Sequence, residues 1–123
     1  MDVHDFGELQ ARPERPGMAG CSQLRTRDLI VGQWSLTAAA WTDRHQHEEV
    51  NYVLEGELHV ECEGVTRVVR PGEAVLVDAG SIARYSAPVY ARMLYVYGPS
   101  PDGNHGATDT RYEALPAPPN EST

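Results

Sequence analysis

The chain has 123 residues, 41% of them hydrophobic, and a net charge of −8, which is the size and composition of one folded domain with a single core. That charge argues against a nucleic-acid partner, because gripping phosphate backbones needs a basic face, and no apolar run reaches the length of a membrane span. All ten basic residues are arginine, so Schiff-base chemistry on a lysine side chain is excluded as well; the same bias suggests a GC-rich bacterial genome.

Residues 1–20 carry Gly7, Pro13, Pro16, Gly17 and Gly20 and read as an irregular arm laid across a sheet or a partner subunit. The start, Met-Asp-Val-His-Asp, lacks the basic and apolar stretches of a signal peptide, and the expected location is the cytoplasm. Cys21 and Cys62 have no C-x-x-C spacing and read as separate thiols. Short strands are then predicted at Leu29–Gln33, Trp34–Thr42, Val50–Leu54, Glu57–Cys62, Val65–Val69, Ala74–Val77, Ala83–Ser86 and Ala91–Tyr97. Turns fall at Glu55-Gly56, Glu63-Gly64, Arg70-Pro71-Gly72 and Asp78-Ala79-Gly80. From Pro99 onward the chain is rich in proline (Pro99, Pro101, Pro116, Pro118, Pro119), which predicts loop and then disorder, with a helical turn or short strand at 110–115. The expectation is a single domain over 1–123, with the barrel at about 32–99, an arm at 1–20 and a tail at about 99–123.

Strands this short and evenly spaced, with glycine at the breaks, indicate an all-β sandwich or barrel. The stretch Asp43-Arg-His45-Gln-His47-Glu-Glu49 favours the barrel. It gathers imidazoles and carboxylates where one strand ends and the next begins, at the mouth of such a fold. Asp43, His45 and His47 alternate and share a face if the strand extends that far; if the turn starts earlier, His47 faces solvent. By the same parity Trp41 lies beside Asp43, Asn51 beside Glu49, and Tyr85 beside Ala83.

These residues resemble the small single-domain cupins of the conserved-barrel type, whose fold is a jelly-roll, or double-stranded β-helix, barrel. The first family motif is His-x-His, three residues, Glu, six residues, Gly; here Asp43, His45, Glu49 and Gly56 occupy those places. The second is Gly, five residues, Pro-x-Gly, two residues, His; here Gly72, Asp78, Gly80 and Ala83 do. Two of the four family ligands are retained, one is a carboxylate, and one is an alanine.

The resemblance implies a small-molecule pocket with a divalent metal (zinc, manganese, iron or nickel) on His45, Glu49 and Asp43, with His47 as a substitute ligand, or a pocket with no metal. Strand parity then predicts pocket walls from Trp41, Asn51, Ala83 and Tyr85. Three functions stay open: a metal-dependent enzyme of isomerase, oxygenase or cyclase type; a metal-free epimerase-like enzyme using His45, Glu49 and Tyr85 for acid–base work; and a non-catalytic binding protein. Whether the chain is an enzyme is therefore open. Small cupins pair sheet against sheet, so a homodimer is expected through Val50, Tyr52 and Leu54.

Overall fold

Side chains on a strand alternate between two faces, so each strand's parity decides which residues reach the interior. The computed structural model describes residues 1–116. Its strands are β1 (Gln10–Ala11), β2 (Met18–Gly20), β3 (Leu24–Arg25), β4 (Ile30–Leu36), β5 (Ala39–Arg44), β6 (Glu49–Gly56), β7 (Leu58–Cys62), β8 (Val65–Val69), β9 (Ala74–Val77), β10 (Ile82–Ala87), β11 (Ala91–Tyr97) and β12 (Thr108–Ala114). One antiparallel sheet has the order β1-β2-β4-β11-β6-β9, with β3 also on β4; the other has the order β12-β5-β10-β7-β8. From β4 onward each connection crosses from one sheet to the other, except the β7–β8 hairpin. This is the all-β jelly-roll barrel of the cupins.

The core lies between the sheets. Leu36, Val53, Leu58, Val60, Val69, Val77 and Met93 form one buried cluster with several alanines and Tyr85. On β6, Glu49, Asn51 and Val53 point inward, while Tyr52 on the opposite face is 40% exposed. On β11 the inward set is Ala91, Met93 and Tyr95, and this settles a parity that its alternating composition leaves open.

Two stretches differ from the sequence expectation. No break falls between Gln33 and Trp34; β4 runs to Leu36, and the reversal comes at Thr37-Ala38. Neither residue is a turn former, and Ala38 takes a left-handed φ of 47°. Contacts distant in sequence hold the reversal, since Thr37 N–H donates to the Gly17 carbonyl (2.7 Å) and Ala38 N–H to that of Val89 (3.2 Å). The arm is more regular than its glycines and prolines suggest, because β2 pairs with β4. Beyond Pro99, of the two options expected at 110–115, the short strand forms: β12 pairs with β5. The expected disorder at Pro118 and Pro119 lies outside the described residues.

Gly56 ends β6 at φ +77°, and a β-carbon there would fall inside the contact distance of the Tyr90 carbonyl. The glycine turn of the first motif is thus required by both backbone sign and space. Among the described residues no helix is long and apolar enough to cross a membrane.

Candidate metal centre

The site sits where the two sheets open. β5 brings Trp41 and Asp43, and β6 brings Glu49 and Asn51. The connection between those strands carries His45 and His47. It is pinned by Gly80 N–H donating to the His45 carbonyl (2.7 Å) and Gly98 N–H to that of Glu48 (2.9 Å). Asp43, His45 and Glu49 are all buried, and each offers a ligand atom within 4.8 Å of the other two.

Each of the three is oriented by a neighbour. Asp43 Oδ2 accepts from Trp41 Nε1–H (2.9 Å) and faces His45 Nε2 at 3.0 Å. His45 Nδ1 lies 3.2 Å from the His105 carbonyl. A carbonyl only accepts, so the proton sits on Nδ1. Nε2 is then either protonated and bonded to Asp43, or a lone pair aimed at a shared cation. Glu49 is held at both oxygens: Tyr85 O–H donates to Oε2 (2.9 Å) and Asn51 Nδ2–H to Oε1 (3.3 Å). The Asn51 oxygen accepts in turn from Trp34 Nε1–H (2.8 Å).

The electrostatics suit a cation. Burial, and then the Asp43 charge, push the Glu49 pKa up to about 7, against the pull of His45, Tyr85 and Asn51. Burial lowers the His45 pKa, but the hydrogen bond and charge of Asp43 outweigh it and the net shift is upward. Burial, with Glu49 and Asp43 nearby, raises Tyr85 well above the ordinary phenol value, so Tyr85 stays a hydroxyl donor. Two desolvated carboxylates this close resist both being ionised, and a cation between them relieves that repulsion. One imidazole and two carboxylates form a donor set for a divalent ion of borderline or hard character. The residues therefore fit the group that the sequence resemblance implies.

A cavity of about 220 Å³ opens above the cluster, lined by Asp43, His45 and Glu49, by Trp34, Trp41, Tyr95 and Tyr97, and by the arm residues Arg12, Arg15 and Met18. Of the expected wall residues, Trp41 lines it. Asn51, Tyr85 and Ala83 are buried at 0–1% exposure and are not among its lining; Asn51 and Tyr85 reach the site only through Glu49.

His47 is neither a solvent-facing loop residue nor part of the three-residue cluster. It is 2% exposed, and its ring packs against His45 (centroids 4.5 Å), Tyr97 (4.3 Å) and His105 (4.9 Å). Its Nδ1–H donates to the Glu48 carbonyl (2.9 Å), which turns the ring inward. Burial, and next the neighbouring His45, lower its pKa despite that bond. His105, which reads from sequence as a surface residue, is half-buried in this stack. Its contact with His45 spans 60 positions, and no local pattern announces it. Trp34 escapes notice too, while Tyr95 and Tyr97 share one face of β11 whose direction the sequence leaves open. Gly32 is the retrospective clue to Tyr95, because any β-carbon there would collide with the Tyr95 ring.

Comparison with known proteins agrees with the fold. The chain is similar to an RmlC-like cupin from Shewanella frigidimarina (TM-score 0.68, 22% identity, 83% of this chain and 95% of that one). It is 37% identical over 68 residues to the acetate kinase EutQ of Salmonella typhimurium, covering 55% of this chain and 29% of that protein. It is 34% identical over 91 residues to the Escherichia coli protein of the same name, covering 69% and 38%. The chain thus spans well under half the length of these curated relatives. A family model described as ethanolamine utilisation protein EutQ matches residues 24–102. That match covers most of the barrel and the whole three-residue cluster, and the chain belongs to the EutQ family.

Proposed function

We propose that this chain is a metal-dependent cupin enzyme that binds a small organic acid in the cavity above Asp43, His45 and Glu49. One observation carries the reading: three buried donor side chains converge within 4.8 Å, and each is aimed by a separate neighbour, as metal ligands are. A divalent ion on these residues would supply Lewis-acid polarisation of a bound carboxylate or carbonyl. The chain does the rest. Trp41 holds Asp43, the His105 carbonyl fixes the His45 tautomer, and Tyr85 and Asn51 orient Glu49. Trp34, Trp41 and Tyr97 supply apolar walls that limit water. A cavity of about 220 Å³ is smaller than the ~300–1,000 Å³ of sites for drug-sized molecules, which supports a metabolite-sized ligand.

The metal-free acid–base alternative is weaker, because the Tyr85 hydroxyl is directed at Glu49 rather than at the cavity. A second reading comes from the relatives' name, acetate kinase: phosphoryl transfer to acetate in the same pocket. Acetyl phosphate formed from ATP and acetate, and lost in Glu49→Gln, would favour it.

The test of the main reading is thermal. Chelator-treated protein titrated with zinc, manganese, ferrous iron or nickel should gain about 2.7 kcal/mol of stability when a bound metal reaches 100 times its Kd, a rise of several degrees in Tm. No rise with any of the four ions would contradict it. Tyr85→Phe should stay folded and lose about 10–100-fold in metal affinity, the usual effect of removing an outer partner, read by competition with a chromogenic chelator. An unchanged affinity would show that Glu49 needs no such support.

A further inference from the structure

We infer that the turn between β1 and β2, carrying Arg12 and Arg15, is an anion subsite of the cavity that takes a carboxylate or phosphate group of the small ligand; the inference rests on the cavity being the ligand site. The chain is acidic overall, with 18 acidic against 10 basic residues, and the cavity floor adds Asp43 and Glu49. Two arginines nevertheless stand at its rim. Arg70, Arg84, Arg92 and Arg111 each pair with a glutamate. The side chains of Arg12 and Arg15, like those of Arg25, Arg27, Arg44 and Arg67, have no ion-pair or hydrogen-bond partner among the described residues, and of these six only Arg12 and Arg15 line the cavity.

The Arg15 guanidinium is oriented by a ring contact, and that of Arg12 lies against the backbone of Gly20. The Arg15 guanidinium carbon lies 4.2 Å from the centre of the Trp41 ring, a cation–π contact that orients its plane. Trp41 donates to Asp43, so one residue links the rim arginine to the floor. The Arg12 guanidinium packs on Gly20, where a β-carbon would come within 2.5 Å of it. The turn is closed by Arg15 N–H to the Arg12 carbonyl (3.0 Å), Met18 N–H to that of Arg15 (3.0 Å) and Arg12 N–H to that of Met18 (2.9 Å). The Tyr112 hydroxyl donates to the Pro16 carbonyl and ties the turn to β12. A guanidinium fork matches the two oxygens of a carboxylate or phosphate, and a pre-positioned fork loses little entropy on binding. The turn precedes the stretch that matches the family model, residues 24–102, so the family match does not carry this recognition.

The test is calorimetric titration of the full chain with inorganic phosphate and with acetate. Wild type is compared with Arg12→Gln, Arg15→Gln, the double variant, and Arg25→Gln as an exposed arginine outside the cavity lining. Metal content and circular dichroism are measured on the same samples. The double variant should bind the better probe at least about 10-fold more weakly, each charged hydrogen bond lost being worth about that much, with metal content unchanged and Arg25→Gln like wild type. Should the double variant unfold, Arg12→Gln, an exposed residue, carries the same expectation. Preference for phosphate assigns a phosphorylated ligand and preference for acetate a carboxylic acid; either supports the subsite if it depends on the arginines. No binding of either probe to wild type at millimolar concentration, or equal binding by the double variant, would overturn it. Arginine-dependent binding in a wild type that retains no metal would contradict the metal reading and leave this one standing.

Discussion

Replacing His45 with alanine is expected to lower divalent-metal affinity by more than about 100-fold, beyond the range typical of losing an outer partner, while the barrel stays folded. His45 is the single imidazole in the cluster with Asp43 and Glu49. Without it two carboxylates remain, and Asp43 Oδ2 stays engaged with Trp41. The ring also stacks on His47 and Tyr97, at 4.5 and 4.8 Å between centroids, so some packing is lost as well. His47→Ala separates the two effects. It removes a similar ring from the same stack, including its contact with His45, but none of the three donor side chains, and it should cost less than about 10-fold in affinity. Equal losses in the two variants would mean that the stack, and not a coordinating nitrogen, governs binding.

Gly56→Ala is expected to destabilise the fold by roughly 3 kcal/mol and to lower Tm by about 10 °C. The residue has φ +77°, and the new methyl group would meet the Tyr90 carbonyl and the Ala91 backbone. Neither can yield easily, because that carbonyl also accepts from Glu57 N–H (3.0 Å) and Ala91 pairs with Gly56 across the sheet. Gly64→Ala is the control: at φ +78° with nothing within 4 Å, it should cost only the strain of a left-handed alanine, about 1 kcal/mol. Equal melting temperatures for the two variants would show that the close approach at Gly56 carries no energy.

The barrel and its cluster are legible in the sequence where spacing and geometry coincide. Glu49 and Gly56 begin and end one strand, so their separation records its length and parity, and Asp43 and His45 can be placed from them. What escapes is set by tertiary contact. The reversal at Thr37-Ala38 depends on carbonyls of Gly17 and Val89, and alanine carries no turn signal. His47 is turned inward by a neighbouring carbonyl and a ring stack, which strand parity cannot foresee. Asn51 and Tyr85 are correctly placed on inward faces, yet they act behind Glu49 rather than on the cavity, because a barrel wall has depth that alternation does not encode. Arg12, Arg15 and His105 come from turns at either end of the chain, and only the folded sheets bring them to the site.

The most direct measurement is X-ray absorption at the metal edge of the loaded protein. The account predicts a first shell dominated by oxygen with a single imidazole, from His45, and loss of the imidazole signal in His45→Ala. A first shell with two or more imidazoles, or a protein that retains no metal after loading, would contradict it.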